Sequence, residues 1–392
     1  MKVGQLFEIK KGKKVEQINE KNDMKVERLI QIEDLRNNKN IKYCIRDTKA
    51  VFAKEEDIII AWDGANAGTI GYGLNGIIGS TLAVLRPKQP VYTPYVGMFL
   101  QTKSSYLRER SRGATVPHIQ KDILLDINIP FRPIEEQKRI AKVFGEAQTL
   151  INLQQQNIVN LDEFLRSYFI WKAGPKNSSY EDWQMVKVKD LANPEKGSMR
   201  TGPFGSDLKH SEFIEEPEVA VLGIDNAVSN VFEWGQRRYI THEKYEKLKR
   251  YTVKPGDVII TIMGTTGRSA VVPKDIPLAI TTKHLATITV DEKKIVPEYL
   301  SYSIHSHPNL LTQIKRANKG AIMDGLNLKI IKELELRLPP LEIQKDFLRV
   351  YLEVNNQKEK MKCAFQLLNN NFQSLLKRGF NGELNIKGTI NN

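Results

Sequence analysis

Cysteine is almost absent from this 392-residue chain. Its two copies, Cys44 and Cys363, lie far apart and show no metal-ligand spacing. A disulfide framework and a zinc ribbon are therefore without support. No apolar run approaches the roughly 20 residues that a membrane-crossing helix needs. Met1-Lys2-Val3-Gly4 opens into mixed polar and apolar sequence, without the apolar core and cleavage site of a secretion signal, so the expectation is a soluble, cytoplasmic protein. A GxxxxGK[ST] phosphate loop is missing, which excludes the usual ATP motor. An adenine methyltransferase needs a glycine-rich cofactor loop after a strand, and an Asn or Asp followed by Pro-Pro-aromatic to hold a flipped base. "NPEKG" at 193–197 lacks the second proline and the aromatic. His305-Ser306-His307 has no carboxylate or cysteine partner nearby in sequence, so no metal site is expected. Scattered acidic residues leave a nuclease open on spacing alone, but no pattern argues for a catalytic residue in this chain.

The composition, 41% hydrophobic and 27% charged, is that of a globular chain, and its length suits two cores better than one. Lys and Arg total 59 against 46 Asp and Glu, a formal charge of +13. Such a balance favours a polyanionic partner, because each phosphate neutralised releases condensed counterions.

The chain repeats itself. "PIEEQKRIAKVF" at 133–144 is matched by "PLEIQKDFLRVY" at 340–351, and other pairs follow in the same order with a slowly drifting offset. "RLIQIEDL" at 28–35 pairs with "AVLGIDNA" at 220–227, "EDIIIAWDGANAG" at 56–68 with "GDVIITIMGTTG" at 256–267, "TPYVGMFL" at 93–100 with "PEYLSYSI" at 297–304, and "RGATVPHIQ" at 112–120 with "KGAIMDGLN" at 319–327. A tandem duplication explains this order better than chance similarity between apolar strands. Each half runs from β-branched segments with Gly, Asn and Thr turns to a proline-marked break and a long segment without internal proline.

Those long segments carry heptads. Steps of four and three give Ile140, Phe144, Ala147, Ile151, Gln154, Ile158, Leu161, Leu165 and Tyr168 in one, and Phe347, Tyr351, Val354, Lys358, Met361, Phe365, Leu368, Phe372 and Leu375 in the other. The period is that of a coiled coil, with Gln154 and Lys358 setting register. A pseudo-twofold axis between the halves would make the helices antiparallel. The alternatives are that each packs on its own domain or pairs with another chain. The expected fold class is α+β, with mixed α/β domains at 1–132 and 173–338, long helices at 133–172 and 339–380, and a tail at 381–392.

Loops should carry the function and strands the frame. In the first domain the candidates for nucleic-acid contact are Lys10, Lys11, Lys13, Lys14, Trp62, Asn66, Arg108, Arg110, Arg112 and His118. In the second they are Arg200, Thr201, Phe204, Ser206 and Lys209 in "GSMRTGPFGSDLKH", then Thr265, Thr266, Arg268, Lys283, His284, Arg316 and Lys319. Glycine lets backbone approach phosphate, hydroxyls bond phosphate oxygens, and Arg reaches guanine in the major groove. Different side chains in the paired turns 62–69 and 263–270 imply two different half-sites. The plainer alternatives are a solvated basic face and a capped turn burying Phe204.

With "RTGPFGSDLK", "GDVIITIMGTTGRSAVV", "KGAIMDGLN", "LPPLEIQKDF" and "LLKRGFNGEL" in one chain, the sequence resembles the specificity (S) subunits of type I restriction-modification enzymes from Val3 to about Phe380. It departs in starting the first domain almost at Met1, and in ending the first helix with "LRSYFIWKAG" rather than an "LLKRGF" form. The resemblance implies two target recognition domains, each reading half of a bipartite site in double-stranded DNA. It implies two antiparallel helices that set the spacer and dock two methylation subunits, with restriction subunits joining to cut. S-adenosylmethionine, ATP and Mg would then belong to the partners, and this chain would bind no cofactor. The other readings are a single-chain restriction or modification enzyme, and a coiled-coil scaffold that binds no DNA.

Overall fold

A computed structural model describes residues 1–18, 26–37, 39–113, 116–318 and 325–384. Its contacts divide the chain into two units, Met1–Gln155 with Cys363–Asn392, and Gln156–Lys362.

In the first unit, helix α1 (Val3–Leu6) leads into strands β1 (Phe7–Lys11), β2 (Gln17–Ile18), β3 (Val26–Ile30), β4 (Lys42–Ile45), β5 (Phe52–Ala53), β6 (Ile58–Ala61), β7 (Ile70–Tyr72), β8 (Gly76–Ile78) and β9 (Leu82–Pro87). Helices α2 (Thr93–Thr102), α3 (Ser104–Glu109) and α4 (Lys121–Asp126) follow, and then α5 (Ile134–Lys172) begins. One sheet has the antiparallel order β1-β9-β6-β7, and the other the order β2-β4-β3-β8-β5, in which β3 and β8 run parallel. Strand β6 is apolar at every residue because both its faces are covered. Ile58 and Ile60 pack with Tyr95, Phe99 and Phe144, while Ile59 and Ala61 pack with Ile30 and Ile78 of the second sheet.

The second unit repeats this frame with β10 (Met185–Lys187), β11 (Met199–Thr201), β12 (Val219–Leu222), β13 (Tyr239–Ile240), β14 (Val258–Thr261), β15 (Ser269–Val271), β16 (Ala279–Thr281), β17 (Leu285–Ile288) and β18 (Glu335–Arg337). Its helices are α6 (His242–Leu248), α7 (Pro297–Ser306), α8 (Pro308–Asn318) and α9 (Leu328–Glu333), before α10 (Leu341–Asn381). The order β11-β17-β14-β15 reproduces β1-β9-β6-β7, and the parallel pair β12-β16 reproduces β3-β8. A buried carboxylate marks the same place in both sheets. Asp57 accepts two hydrogen bonds from Arg86 at 3.0 and 2.6 Å, and Asp257 accepts from Arg200 at 2.7 Å and Thr289 at 2.6 Å.

The near-identical helix openings have a specific task. Gln137 and Gln344 are buried. Each accepts the N–H of the residue before α2 or α7, Tyr92 or Val296, at 2.9 Å, and each donates to the carbonyl just before its own helix, Arg132 at 2.7 Å or Pro339 at 2.8 Å. The first turn of each long helix is thereby fixed to the helix that covers its sheet.

The long helices, of 39 and 41 residues, pair antiparallel within each unit. In the first, Phe144 near the start of α5 meets Phe372 and Phe380 near the end of α10, with ring centroids 6.4 and 5.2 Å apart. Gly379 is needed there, since a Cβ would lie 2.4 Å from the Phe144 ring. In the second, Phe169 near the end of α5 meets Phe347 near the start of α10 at 5.2 Å, and Lys172 pairs with Asp346 at 3.1 Å. Lys358 is held by Asp162. Every heptad position named above is buried or half-buried, whereas Leu150, Leu153, Phe164, Trp171, Leu352 and Leu367 on other faces are exposed.

Candidate nucleic-acid interface

At one end of the first unit, four segments converge on Asp63. Its backbone N–H and that of Trp62 donate to the Thr81 carbonyl at 3.3 and 2.8 Å, Gly64 N–H donates to Pro117, and Ile119 N–H to Trp62. Arg112 and His118 exchange two backbone hydrogen bonds, at 3.0 and 2.7 Å. The Asp63 carboxylate then meets Lys11 at 2.8 Å and His118 Nδ1 at 2.6 Å. Partial burial alone would raise its pKa, but the hydrogen bonds from Lys11 and His118 outweigh that and hold it below the usual carboxylate range. Beside it, Arg36 donates to Asn66 Oδ1 at 2.6 Å. Arg36 and Asn66 also line an open groove of about 550 Å³ together with Lys14, Gln17, Gln31 and Thr81.

Of the expected contact residues, the fold thus gathers Lys11, Lys14, Asn66, Arg112 and His118. Lys13 is exposed, and Lys10 pairs with Glu8 at 3.3 Å. Arg110 stacks on Tyr106 at 3.9 Å, and Arg108 reaches the Ala67 carbonyl. The Trp62 ring is half-buried against the core, and its backbone positions the turn. Asp63, Arg36 and Gln31, which were not among the expected contact residues, join them here.

The second unit builds the same turn from other side chains. Gly64 and Gly68 in the first turn, and Gly264 and Gly267 in the second, all have φ between 75° and 92°, where a side chain would be strained. Buried Thr261 accepts from Arg268 N–H at 3.0 Å and donates to the Thr265 carbonyl, leaving the Thr265 and Arg268 side chains exposed. Thr266 is half-buried. Ile262 N–H donates to the His284 carbonyl as Trp62 does to Thr81, and Leu326 N–H to Ile262 as Ile119 does to Trp62. Burial, then Lys283 and His210, push the His284 imidazole below its ordinary pKa. Lys283, Ser206, Lys209 and Arg316 are exposed and Thr201 is half-buried. Lys319 lies outside the described residues.

Two expectations change here. Arg200 does not reach outward. Its guanidinium is 12% exposed and bonds Asp257, Thr289, and the carbonyls of Thr252 and Gly197, so it clamps the sheet. Gly202 is required by the protein's own backbone: a Cβ there would lie 2.3 Å from the Thr282 carbonyl, as one at Gly12 would lie 2.2 Å from that of Gly79. Phe204 keeps the place expected of it: at 69% exposure its ring is open to solvent, and the alternative of a turn that buries it does not hold.

Sequence reasoning also missed the segment 223–238. Arg238 pairs with Asp225 at 3.0 Å, and Arg237 lies 4.4 Å over the ring of the exposed Trp234. "WGQRR", basic residues beside an aromatic in a connection between β12 and β13 that is longer than the one between β3 and β4, was the available signal. Among the described residues no group of three His, Cys, Asp or Glu side chains is placed to hold a metal ion, and no helix is long and apolar enough to cross a membrane.

The family model of the type I restriction modification DNA specificity domain matches this chain twice, over residues 1–162 and 180–360. The MjaVIII type I restriction enzyme specificity subunit of Methanocaldococcus jannaschii is 27% identical over 76% of this chain and 72% of its own length. The EcoBI specificity subunit of Escherichia coli is 23% identical over 93% of this chain and 81% of its own. Among solved structures, the S subunit of a type I restriction-modification system from M. genitalium superposes with a TM-score of 0.53 at 16% identity, over 97% of this chain and 95% of that one. A chain from a type I R-M structure concerned with complex assembly and conformational transition gives 0.59 at 14% identity, over 98% and 97%.

Proposed function

The chain belongs to the type I restriction modification DNA specificity family, and from that premise we propose that each of its two domains reads one half of a bipartite site in double-stranded DNA. The observation that carries this reading is the repeated turn, held by matching backbone hydrogen bonds and glycines, which presents Asp63, Asn66 and His118 in one copy and Thr265 and Arg268 in the other. A single frame with two sets of side chains suits two different half-sites.

The rest of the reading concerns partners. The long helices set the unread spacer, and their exposed apolar residues, Leu150, Leu153 and Leu367 in one unit and Phe164, Trp171 and Leu352 in the other, receive two methylation subunits. Restriction subunits join that complex in the cytoplasm. The chain itself does no chemistry. S-adenosylmethionine, ATP and Mg are bound by the partners.

The test is selection from a randomised duplex library by the full chain complexed with a type I methylation subunit, repeated across salt concentrations. Two fixed half-sites at constant separation, with affinity falling steeply as salt rises, are expected. A single contiguous motif, or binding indifferent to salt, would sink the proposal.

A further inference from the structure

Gln31 and Gly223 occupy one backbone station in the two copies of the domain. Each follows the strand, β3 or β12, that pairs in parallel with its neighbour. Each is extended, with φ −119° and ψ 174° or φ −121° and ψ −171°, and each opens a 3-10 turn. The third turn residue, Asp34 or Asn226, accepts the N–H of the station residue at 2.7 or 2.8 Å.

What the station presents differs between the copies. Gln31 Nε2 donates to Gln17 Oε1 at 3.2 Å, and its Oε1 accepts from Lys42 Nζ at 2.8 Å, which fixes the carboxamide on the wall of the groove that Arg36 and Asn66 also line. Gly223 has no side chain, and another group fills the space. A Cβ at Gly223 would lie 2.6 Å from Arg238 Nη1 and 2.7 Å from Asp225 Oδ1. Asp225 holds Arg238 at 3.0 Å and is itself tied to Gln236 N–H at 2.7 Å. Glycine is needed at 223 so that a guanidinium from the 225–238 segment can lie across the station.

We propose that this station selects a base pair in both half-sites: Gln31 recognises the edge of an adenine in one, and Arg238, positioned by Asp225 over Gly223, the edge of a guanine in the other. A carboxamide matches the N6 donor and N7 acceptor of adenine, and a guanidinium matches the O6 and N7 acceptors of guanine. Both groups are already oriented by neighbours, so little rotamer freedom is lost on contact. The inference rests on the DNA-specificity reading above.

The experiment repeats the library selection with the full chain in its methylation complex, comparing wild type with Gln31→Ala, Arg238→Ala and Gly223→Ala. Gln31→Ala should lose about 10- to 100-fold of the preference at one A·T pair in one half-site, with the other half-site unchanged. Arg238→Ala should lose a similar preference at one G·C pair in the other half-site. Gly223→Ala, whose methyl displaces Arg238, should reproduce that second loss with Arg238 still present. Unchanged preferences in variants that still select the wild-type spacing would overturn the inference, as would weakening spread evenly over both half-sites, since that is the pattern of lost folding or phosphate contact. If the wild-type complex selects no bipartite motif, the DNA-specificity reading itself fails and takes the station with it.

Discussion

Replacing Gln344 with leucine tests why the chain writes its helix opening twice. The side chain accepts Val296 N–H at 2.9 Å and donates to the Pro339 and Lys294 carbonyls at 2.8 and 3.2 Å, and it is fully buried. Leucine leaves at least the Val296 N–H and the Pro339 carbonyl unpaired, at about 1–3 kcal/mol each, and returns about 1 kcal/mol through added apolar burial. A net loss of about 3 kcal/mol follows, centred on the junction of α7 with the first turn of α10. Amide hydrogen exchange reads it locally: exchange at Val296 should rise about 100-fold, since 1.4 kcal/mol is a factor of ten. Gln137→Leu should do the same at Tyr92, less strongly, because Gln137 makes one donation rather than two. Native-like exchange at Val296 and Tyr92 in both variants, with unchanged urea midpoints, would refute the anchoring role.

Acid should weaken the second unit. Burial pushes His307 down to about 4 and His305 to about 3, against an unfolded value of about 6.5. Folded values below the unfolded one mean that stability is fully present above pH 6.5 and is lost as pH falls toward 4, at about 1.4 kcal/mol per unit for each histidine. His307→Gln should flatten the fall in urea midpoint between pH 7 and 5, and equal falls in both proteins would contradict this. Arg200→Ala strands the buried Asp257 and should cost about 3–5 kcal/mol in urea unfolding, whereas Arg268→Ala should leave stability unchanged and reduce the salt slope of DNA binding by about one; the reverse pattern would return Arg200 to the DNA face. Deleting four residues from either heptad seam should change the selected spacer while both half-sites persist, and altered half-sites with a constant spacer would end the ruler idea.

The frame was legible because it depends on patterns local to the chain. Ile58-Ile59-Ile60 and Val258-Ile259-Ile260 announce strands, and the heptads name Phe144, Phe347 and Phe372, which meet partners across α5 and α10, although Phe169 and Phe380 lie off that count. The long helices take the antiparallel arrangement expected of a duplication, and each unit's core includes the end of one and the start of the other. The site was only half legible, because a polar side chain's role is set by what arrives from far away in sequence. Asp63 looks like a turn residue until His118, 55 positions on, and Lys11 close on it. Arg200 looks available until Asp257, 57 positions on, occupies its guanidinium. Gly202 looks like a phosphate-approach glycine until the Thr282 carbonyl is beside it. Arg238 sits over Gly223 only because the loop between β12 and β13 returns it there.

The most direct measurement is sequencing of host DNA for N6-methyladenine after co-expression of this chain with a type I methylation subunit. One bipartite methylated motif is expected, with two different halves at fixed separation, that disappears when this chain is omitted. A methylated motif that persists without the chain, or a stable complex that methylates no defined motif, would contradict it.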